Sequence, residues 1–369
     1  MKVLSVVGAR PQFVKAAAVS RVLRQAHTEV LVHTGQHYDD ALSGVFFRQL
    51  ALPRPDIHLG VGSGSHAEQT AAMLVALERV LLAERPHWVL VYGDTNSTLA
   101  GALAAAKLGA RLAHVEAGLR SFNRSMPEEH NRVVTDHLAD LLLCPTETAM
   151  QHLRREGLHE RAHLVGDVMV DILHLSAPHA RWEDWLAQQA GATRRGPEIR
   201  PGAYALLTVH RAGNTDDPAR LSRILEAVGR LELPVLFPAH PRAVKAVEAA
   251  GLPLPPNLWR CEPAPYFAML GLQRDARVIL TDSGGMQKEA YVLGVPCVTL
   301  RAETEWPETL QGGWNMLVDA DPALIAEAAA RPWPATDRGT PFGDGQAAEA
   351  VVATLERALA GATPSGAVT

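Results

Sequence analysis

Val278-Ile279-Leu280-Thr281-Asp282-Ser283-Gly284-Gly285-Met286-Gln287-Lys288-Glu289-Ala290 is the stretch on which the fold turns. A short β-branched run leads into Ser-Gly-Gly, and a helix-compatible segment follows. Strand, small-residue turn and helix in that order form the repeating unit of a parallel sheet. Small residues let the backbone close on a phosphate, and the helix N-terminus offers it N–H groups. Glu289 lies early in that helix, placed to accept from the hydroxyls of a ribose. A Gly-rich turn with no ligand is the plainer reading of the same residues.

The same rhythm recurs on both sides of this segment. Strands are predicted around it at Ala203–Val209, Val235–Phe237, Leu258–Arg260, Arg277–Thr281, Pro296–Leu300 and Trp314–Leu317. The N-terminal half predicts strands at Lys2–Val7, Glu29–His33, Trp88–Tyr92, Arg111–Val115, Leu141–Cys144 and His163–Val165. Their apolar runs suit strands buried on both faces. Helices are predicted between them at Pro11–Gln25, His66–Glu84, Asn96–Leu108, Pro127–Leu138 and Glu147–Glu156. Pro11 and Pro127 suit a first helical turn, where a missing N–H costs nothing.

A chain of 369 residues exceeds what one hydrophobic core serves, so two domains are expected. The pattern weakens between Ser176 and Gly202, and Gln189-Ala190-Gly191-Ala192-Thr193-Arg194-Arg195-Gly196 is small, polar and charged. The expected organisation is therefore an N-terminal Rossmann-like domain over 1–175, a linker region over 176–202 and a C-terminal Rossmann-like domain over 203–345. Residues 346–369 supply a last helix, Gln346–Leu359, that packs back on the N-terminal domain, and a frayed tail. The fold class is α/β, with two parallel sheets facing a cleft.

Hydrophobic residues make up 47% and charged residues 20%, an ordinary globular balance. The net charge of -5 gives no general basic surface for nucleic acid. Cys144, Cys261 and Cys297 are far apart and form no C-x-x-C pair, which argues against a disulfide framework or zinc cluster and fits a reducing cytoplasm. The apolar run after Met1 stops at Gly8-Ala9-Arg10-Pro11, too short for a signal peptide. No apolar stretch suffices to span a bilayer. No metal, nicotinamide or other cofactor is expected: there is no G-x-G-x-x-G, Walker sequence or H-E-x-x-H, and the histidines lack ligand spacing.

In open α/β sheets ligands bind beyond the carboxyl ends of the strands, so residues just after strands carry the chemistry. After the first strand, Arg10 and Lys15 flank a helix start, an anion site or a plain basic turn. Asp94 follows the strand ending at Tyr92, either as a helix N-cap or as a general acid or base. Glu116 follows Val115 directly; Arg120 is its candidate partner if its role is structural, and otherwise it is a catalytic carboxylate. Glu128 and Arg132, spaced i,i+4, share one helix face, as a surface ion pair or as a carboxylate and guanidinium offered to a ligand. His210-Arg211 and His240-Pro241-Arg242 follow strands of the second half and suggest a phosphate or sugar site.

As a set, Gly8-Ala9-Arg10-Pro11 with Lys15, Gly93-Asp94-Thr95, His114-Val115-Glu116-Ala117-Gly118-Leu119-Arg120, Pro127-Glu128-Glu129 with Asn131-Arg132, His210-Arg211, Thr281-Asp282-Ser283-Gly284-Gly285 with Gln287 and Glu289, and Gly343-Asp344-Gly345 resemble the non-hydrolysing UDP-N-acetylglucosamine 2-epimerase family. They occur in that family's order over nearly the whole chain. The resemblance implies a glycosyltransferase-B-like fold with a UDP-sugar between the domains, and a homodimer. It implies epimerisation of UDP-N-acetylglucosamine to UDP-N-acetylmannosamine, for cell-surface polysaccharide precursors, by elimination and re-addition of UDP. By carry-over Asp94, Glu116 and Glu128 look like acid/base carboxylates, and His210 like an aid to UDP departure. Arg10, Lys15, Arg132, Arg211, Ser283, Gly284, Gly285 and Glu289 look like UDP-sugar contacts, and Met269 falls where the family's backbone touches uracil.

The chain departs from the family's common pattern at Gln12, at Ala212-Gly213-Asn214, at Lys288 and at Trp306 within Glu305-Trp306-Pro307-Glu308. Gly8-Ala9-Arg10-Pro11-Gln12-Phe13 and Thr34-Gly35-Gln36-His37-Tyr38-Asp39 resemble a sub-branch some of whose members act on UDP-2,3-diacetamido-2,3-dideoxyglucuronic acid. That uronate is the alternative substrate. A UDP-sugar glycosyltransferase and a non-catalytic UDP-sugar-binding protein are alternatives of other classes.

Overall fold

A computed structural model describes residues 1–36, 52–189 and 199–361, with Arg10 described by its backbone alone. The expectations for His37–Asp39, for the boundary stretch beyond Gln189 and for the tail beyond Gly361 lie outside these residues. The chain forms two compact units, one from residues 1–175 and 341 onward, the other from 176–340.

The sheet of the first unit is built from β1 (Lys2–Val7), β2 (Thr28–His33), β3 (Ile57–His58), β4 (Trp88–Tyr92), β5 (Leu112–Val115), β6 (Leu141–Cys144) and β7 (Ala162–Leu164). All pairings are parallel, in the order β3-β2-β1-β4-β5-β6-β7. The order reverses between β1 and β4, which creates a switch point at their carboxyl ends. Val3–Val7 and Trp88–Tyr92 are buried along their whole length, as strands covered on both faces must be. The covering helix Asn96–Lys107 is rich in alanine, and a Cβ on Gly101 would meet Val91 Cγ1 at 2.9 Å. Small residues there let helix and sheet approach closely.

The second unit repeats the design with β8 (Ala205–Thr208), β9 (Val235–Pro238), β10 (Leu258–Cys261), β11 (Val278–Thr281), β12 (Cys297–Thr299) and β13 (Asn315–Leu317). The order is β10-β9-β8-β11-β12-β13, again all parallel, with its switch between β8 and β11. Alternation sorts the side chains into two layers. Ala205 and Leu207 pack with Phe237, Ile224 and Ile325, while Tyr204 and Leu206 pack with Leu236, Leu272 and Ile279.

Every predicted strand is present, with ends displaced by a residue or two. The two-residue β3 carries too short a pattern to be seen in sequence. The unit boundaries differ from the expected linker. Residues 176–189 fold onto the second unit, where Trp182 Nε1 donates to Asp275 Oδ2 at 2.8 Å and the indole meets Tyr204 edge-on. Their weak periodicity reflects short helical pieces, Ala177–His179 and Glu183–Gln189. Residues 341–345, expected at the end of the second domain, belong to the first: Phe342 O accepts from Asp167 N at 2.8 Å. The last helix, Ala347–Gly361, is in the first unit too. Asp171 accepts from Ala347 N and Ala348 N at 3.2 and 2.8 Å, and Trp88 Nε1 donates to Leu355 O at 3.2 Å.

Candidate functional site

In the first unit, charged side chains gather beyond the carboxyl ends of β1, β4 and β5. Lys15, on the helix Arg10–Ala26, forms a buried ion pair with Glu116 Oε2. Arg132, on the helix Pro127–Leu138, pairs with Asp94 and, at 2.8 Å, with Glu129 Oε2. Asn131 Nδ2 donates to Asp94 O at 2.9 Å, tying the β4 turn to the same helix. Gly93 has φ +61°, and a Cβ there would lie 3.1 Å from Lys15 Nζ and 3.2 Å from Glu116 Oε2. Only glycine allows the Asp94 turn to approach the Lys15–Glu116 pair this closely.

Glu116 itself has φ +72°, a left-handed conformation that L residues seldom adopt. The strain is held by Glu116 N and Ala117 N, which both donate to Leu143 O at 3.0 and 3.2 Å. Such strain costs of order 1–3 kcal/mol and concentrates at functional positions.

Several sequence pairings resolve differently. The partner of Glu116 is Lys15; Arg120 instead bonds Asp136 Oδ2 and Glu156 Oε2 at 2.7 and 2.6 Å. A cation in the facing helix lay closer than one four residues along. Arg132 binds Glu129, one turn back, and not Glu128. Glu128 is half-exposed and makes no hydrogen bond or ion pair among the described residues. The N-cap of the helix Asn96–Lys107 is Thr95, whose side chain accepts from Thr98 N, so Asp94 has no capping role. The two N–H groups just before the helix that follows β1 are taken up within the protein. Gln12 Oε1 already accepts from Gly8 N and Ala9 N at 2.8 and 3.0 Å, and its Nε2 donates to Tyr92 O at 2.8 Å.

Beneath these turns lies a fully buried group. Asp136 accepts from Arg120, from Gly118 N at 3.1 Å and from His114 at 2.7 Å. Burial opposes its ionisation, but the hydrogen bond and charge of His114, with Arg120 behind them, hold the carboxyl below the usual aspartate range. A depressed native value means its stabilisation is fully present above the ordinary value of about 3.9 and lost as pH falls through the native one. In urea melts between neutral and strongly acidic pH, Asp136→Asn is expected to show a shallower loss of midpoint than the parent. Parallel curves would remove Asp136 from the linked groups.

In the second unit the turns after β8 and β11 are locked together by Asp282. Its buried carboxylate accepts from His210 N, Arg211 N and Asn214 Nδ2 at 3.0–3.1 Å and faces His210 Nδ1 at 3.1 Å. Burial again opposes ionisation, yet the contacts from His210, Arg211 and Asn214 hold the carboxyl below the usual range. His210 is thereby fixed by Nδ1 and stays partly exposed, with 37% of its side chain open. In sequence the only signal is an acidic residue directly after a strand, which reads equally well as part of the turn. Arg211 Nε is buried with no hydrogen-bond partner among the described residues. An orphaned buried donor beside a strand end is a ready contact for an anionic ligand.

Ser283 caps the helix Gly284–Leu293, its side chain accepting from Met286 N. The first-turn N–H groups of Gly284 and Gly285 have no intrahelical acceptor, as at any helix start. Glu289 is buried on this helix and accepts from Gln273 Nε2 at 2.7 Å. Met269 is half-buried on the helix Tyr266–Arg274, where its N–H donates to Pro265 O at 2.8 Å. Lys288 and Trp306, separate departures in sequence, are one interaction: Lys288 Nζ lies 3.7 Å from the centre of the Trp306 ring, and both are buried. The indole lies against the cap, since a Cβ on Gly284 would be 3.3 Å from Trp306 Nε1. Among the described residues no cluster of His, Cys, Asp or Glu suits a metal ion, and no helix is long and apolar enough to cross a membrane.

A family model described as UDP-N-acetylglucosamine 2-epimerase matches residues 21–356. The chain is 45% identical to a UDP-2,3-diacetamido-2,3-dideoxy-D-glucuronate 2-epimerase of Pseudomonas aeruginosa, over 97% of this chain and 100% of that one. The UDP-GlcNAc 2-epimerase of Methanocaldococcus jannaschii, solved with UDP-GlcNAc and UDP, is 40% identical with a TM-score of 0.87, covering 97% and 100% of the two chains. A calicheamicin glycosyltransferase structure, 17% identical at a TM-score of 0.52 over 97% and 96%, shares the fold alone.

Proposed function

Because the chain belongs to the UDP-N-acetylglucosamine 2-epimerase family, we propose that it interconverts UDP-N-acetylglucosamine and UDP-N-acetylmannosamine by elimination and re-addition of UDP. The observation that carries this reading is the set of carboxylates on the segments that follow β4 and β5, each in a different setting. Glu116 is buried against Lys15, Asp94 is partly exposed against Arg132, and Glu128 stands without a partner among the described residues. Proton removal and return on opposite faces of one carbon need more than one such group.

The reaction balances without an external reagent. A carboxylate takes the C2 proton, the C1–O bond to UDP breaks with its electron pair leaving on the phosphate, and a C1–C2 double bond forms. A proton then returns to the other face of C2, and UDP adds back to C1. His210, Arg211 and the Ser283-Gly284-Gly285 cap are assigned to UDP, whose departure needs cationic and N–H stabilisation. Arg10, Lys15, Arg132, Met269 and Glu289 are assigned to the UDP-sugar. Cytoplasmic location, a homodimer and supply of polysaccharide precursors belong to the same proposal; the three cysteines, free and buried, support a reducing compartment.

A second substrate, the diacetamido uronate, is favoured by the 45% identity to the Pseudomonas enzyme and by the Lys288–Trp306 pair at the cap. The test is incubation with each UDP-sugar in deuterated water, followed by NMR. The expected result is the 2-epimer carrying deuterium at C2, and the faster substrate is the physiological one. Epimer with its C2 hydrogen fully retained overturns the mechanism. Transfer to an acceptor with no epimer points to a glycosyltransferase, and tight binding with neither event to a binding protein.

A further inference from the structure

The three segments that carry Asp94, Glu116 and Glu128 meet at one buried histidine. His114 lies on β5, two residues before Glu116, with no exposed surface. Its Nε2 is 2.7 Å from Gly93 O, on the turn that presents Asp94. Its Nδ1 is 2.7 Å from Asp136 Oδ1, on the helix that carries Glu128 and Arg132. Asp136 Oδ2 in turn accepts from Gly118 N, closing the Glu116 turn from its far side.

A carbonyl oxygen and a carboxylate oxygen only accept hydrogen bonds, so the two ring nitrogens are turned to acceptors on two different elements, in a fully buried place. Asp136 is itself fixed by Gly118 N and Arg120 Nη1, which donate to its other oxygen, and Glu156 pairs with Arg120. Loss of the ring would free the Gly93 turn and the Asp136 helix from each other.

We propose that His114 acts as a positioning residue, holding the Asp94 turn, the Glu116 turn and the Glu128 helix in register for proton transfer. This role rests on the epimerase reading. It touches neither substrate nor reacting atoms.

The test is kinetic. His114→Gln and Asp136→Asn are expected to lower kcat about a hundredfold, the scale of a small misplacement of catalytic groups, while KM and UDP affinity hold. Parental kcat in a folded variant overturns the positioning role, as does a loss of UDP affinity matching the loss of kcat. If His114→Gln does not fold, Asp136→Asn decides. Failure of the epimerase reading would appear separately, as absent C2 deuteration in the parent.

Discussion

Glu116→Gln is expected to lower kcat by roughly 10²–10⁴-fold, the range a positioned acid or base contributes. Glutamine keeps the shape and one acceptor but cannot take up a proton. The variant also leaves the Lys15 ammonium buried beside a neutral amide, so some stability should go with the activity. Breaking one side of a buried pair costs about 3–5 kcal/mol. Lys15→Met combined with Glu116→Gln removes both charges and is expected to regain part of that stability without regaining turnover. Calorimetric melting and the deuterium assay on the single and double variants separate the two effects. Near-parental turnover in folded Glu116→Gln would remove this residue from the acid/base set.

Asp282→Asn carries the next largest effect. The carboxylate accepts from two backbone N–H groups, the Asn214 amide and His210 Nδ1. An amide in its place presents a donor to some of these donors, and each buried group left unmatched costs roughly 1–3 kcal/mol. The melting temperature should fall accordingly. The His210 ring also loses the partner that fixes its Nδ1, so its free edge is no longer aimed. A drop in kcat of about a hundredfold is expected from that misplacement, beyond any loss from partial unfolding. Full parental kcat at a temperature where the variant is folded would separate Asp282 from the work of His210. Asp282→Ala is expected to be worse in stability, since every donor then loses its acceptor.

Glu116 stood out in sequence because a charge directly after an apolar strand demands an explanation. Asp282 did not, because an acidic residue before Ser-Gly-Gly reads equally well as part of a turn. What distinguishes it is that four donors from another strand's turn converge on it, and those come from residues about seventy positions away. His114 was hidden for the same reason. A histidine inside a β run is ordinary until both its nitrogens are seen to face acceptors.

Sequence alone determined the α/β class, every strand of the two parallel sheets but the two-residue β3, and the carboxyl strand ends as the places for Asp94, Glu116, His210 and Ser283. Those are local properties: period, turn residues and the geometry of a βα unit fix them without knowledge of the neighbours. Only the tertiary structure decided who pairs with whom. Lys15 and not Arg120 meets Glu116, Glu129 and not Glu128 meets Arg132, and Gln12 takes up the Gly8 and Ala9 N–H groups just before the first helix. It also decided that Lys288 and Trp306, read as two separate departures, are stacked on each other beside the Ser283 cap. Such pairings depend on which helix lies across which strand end, and side chains far apart in sequence compete for them by distance and burial, neither of which the order of residues contains.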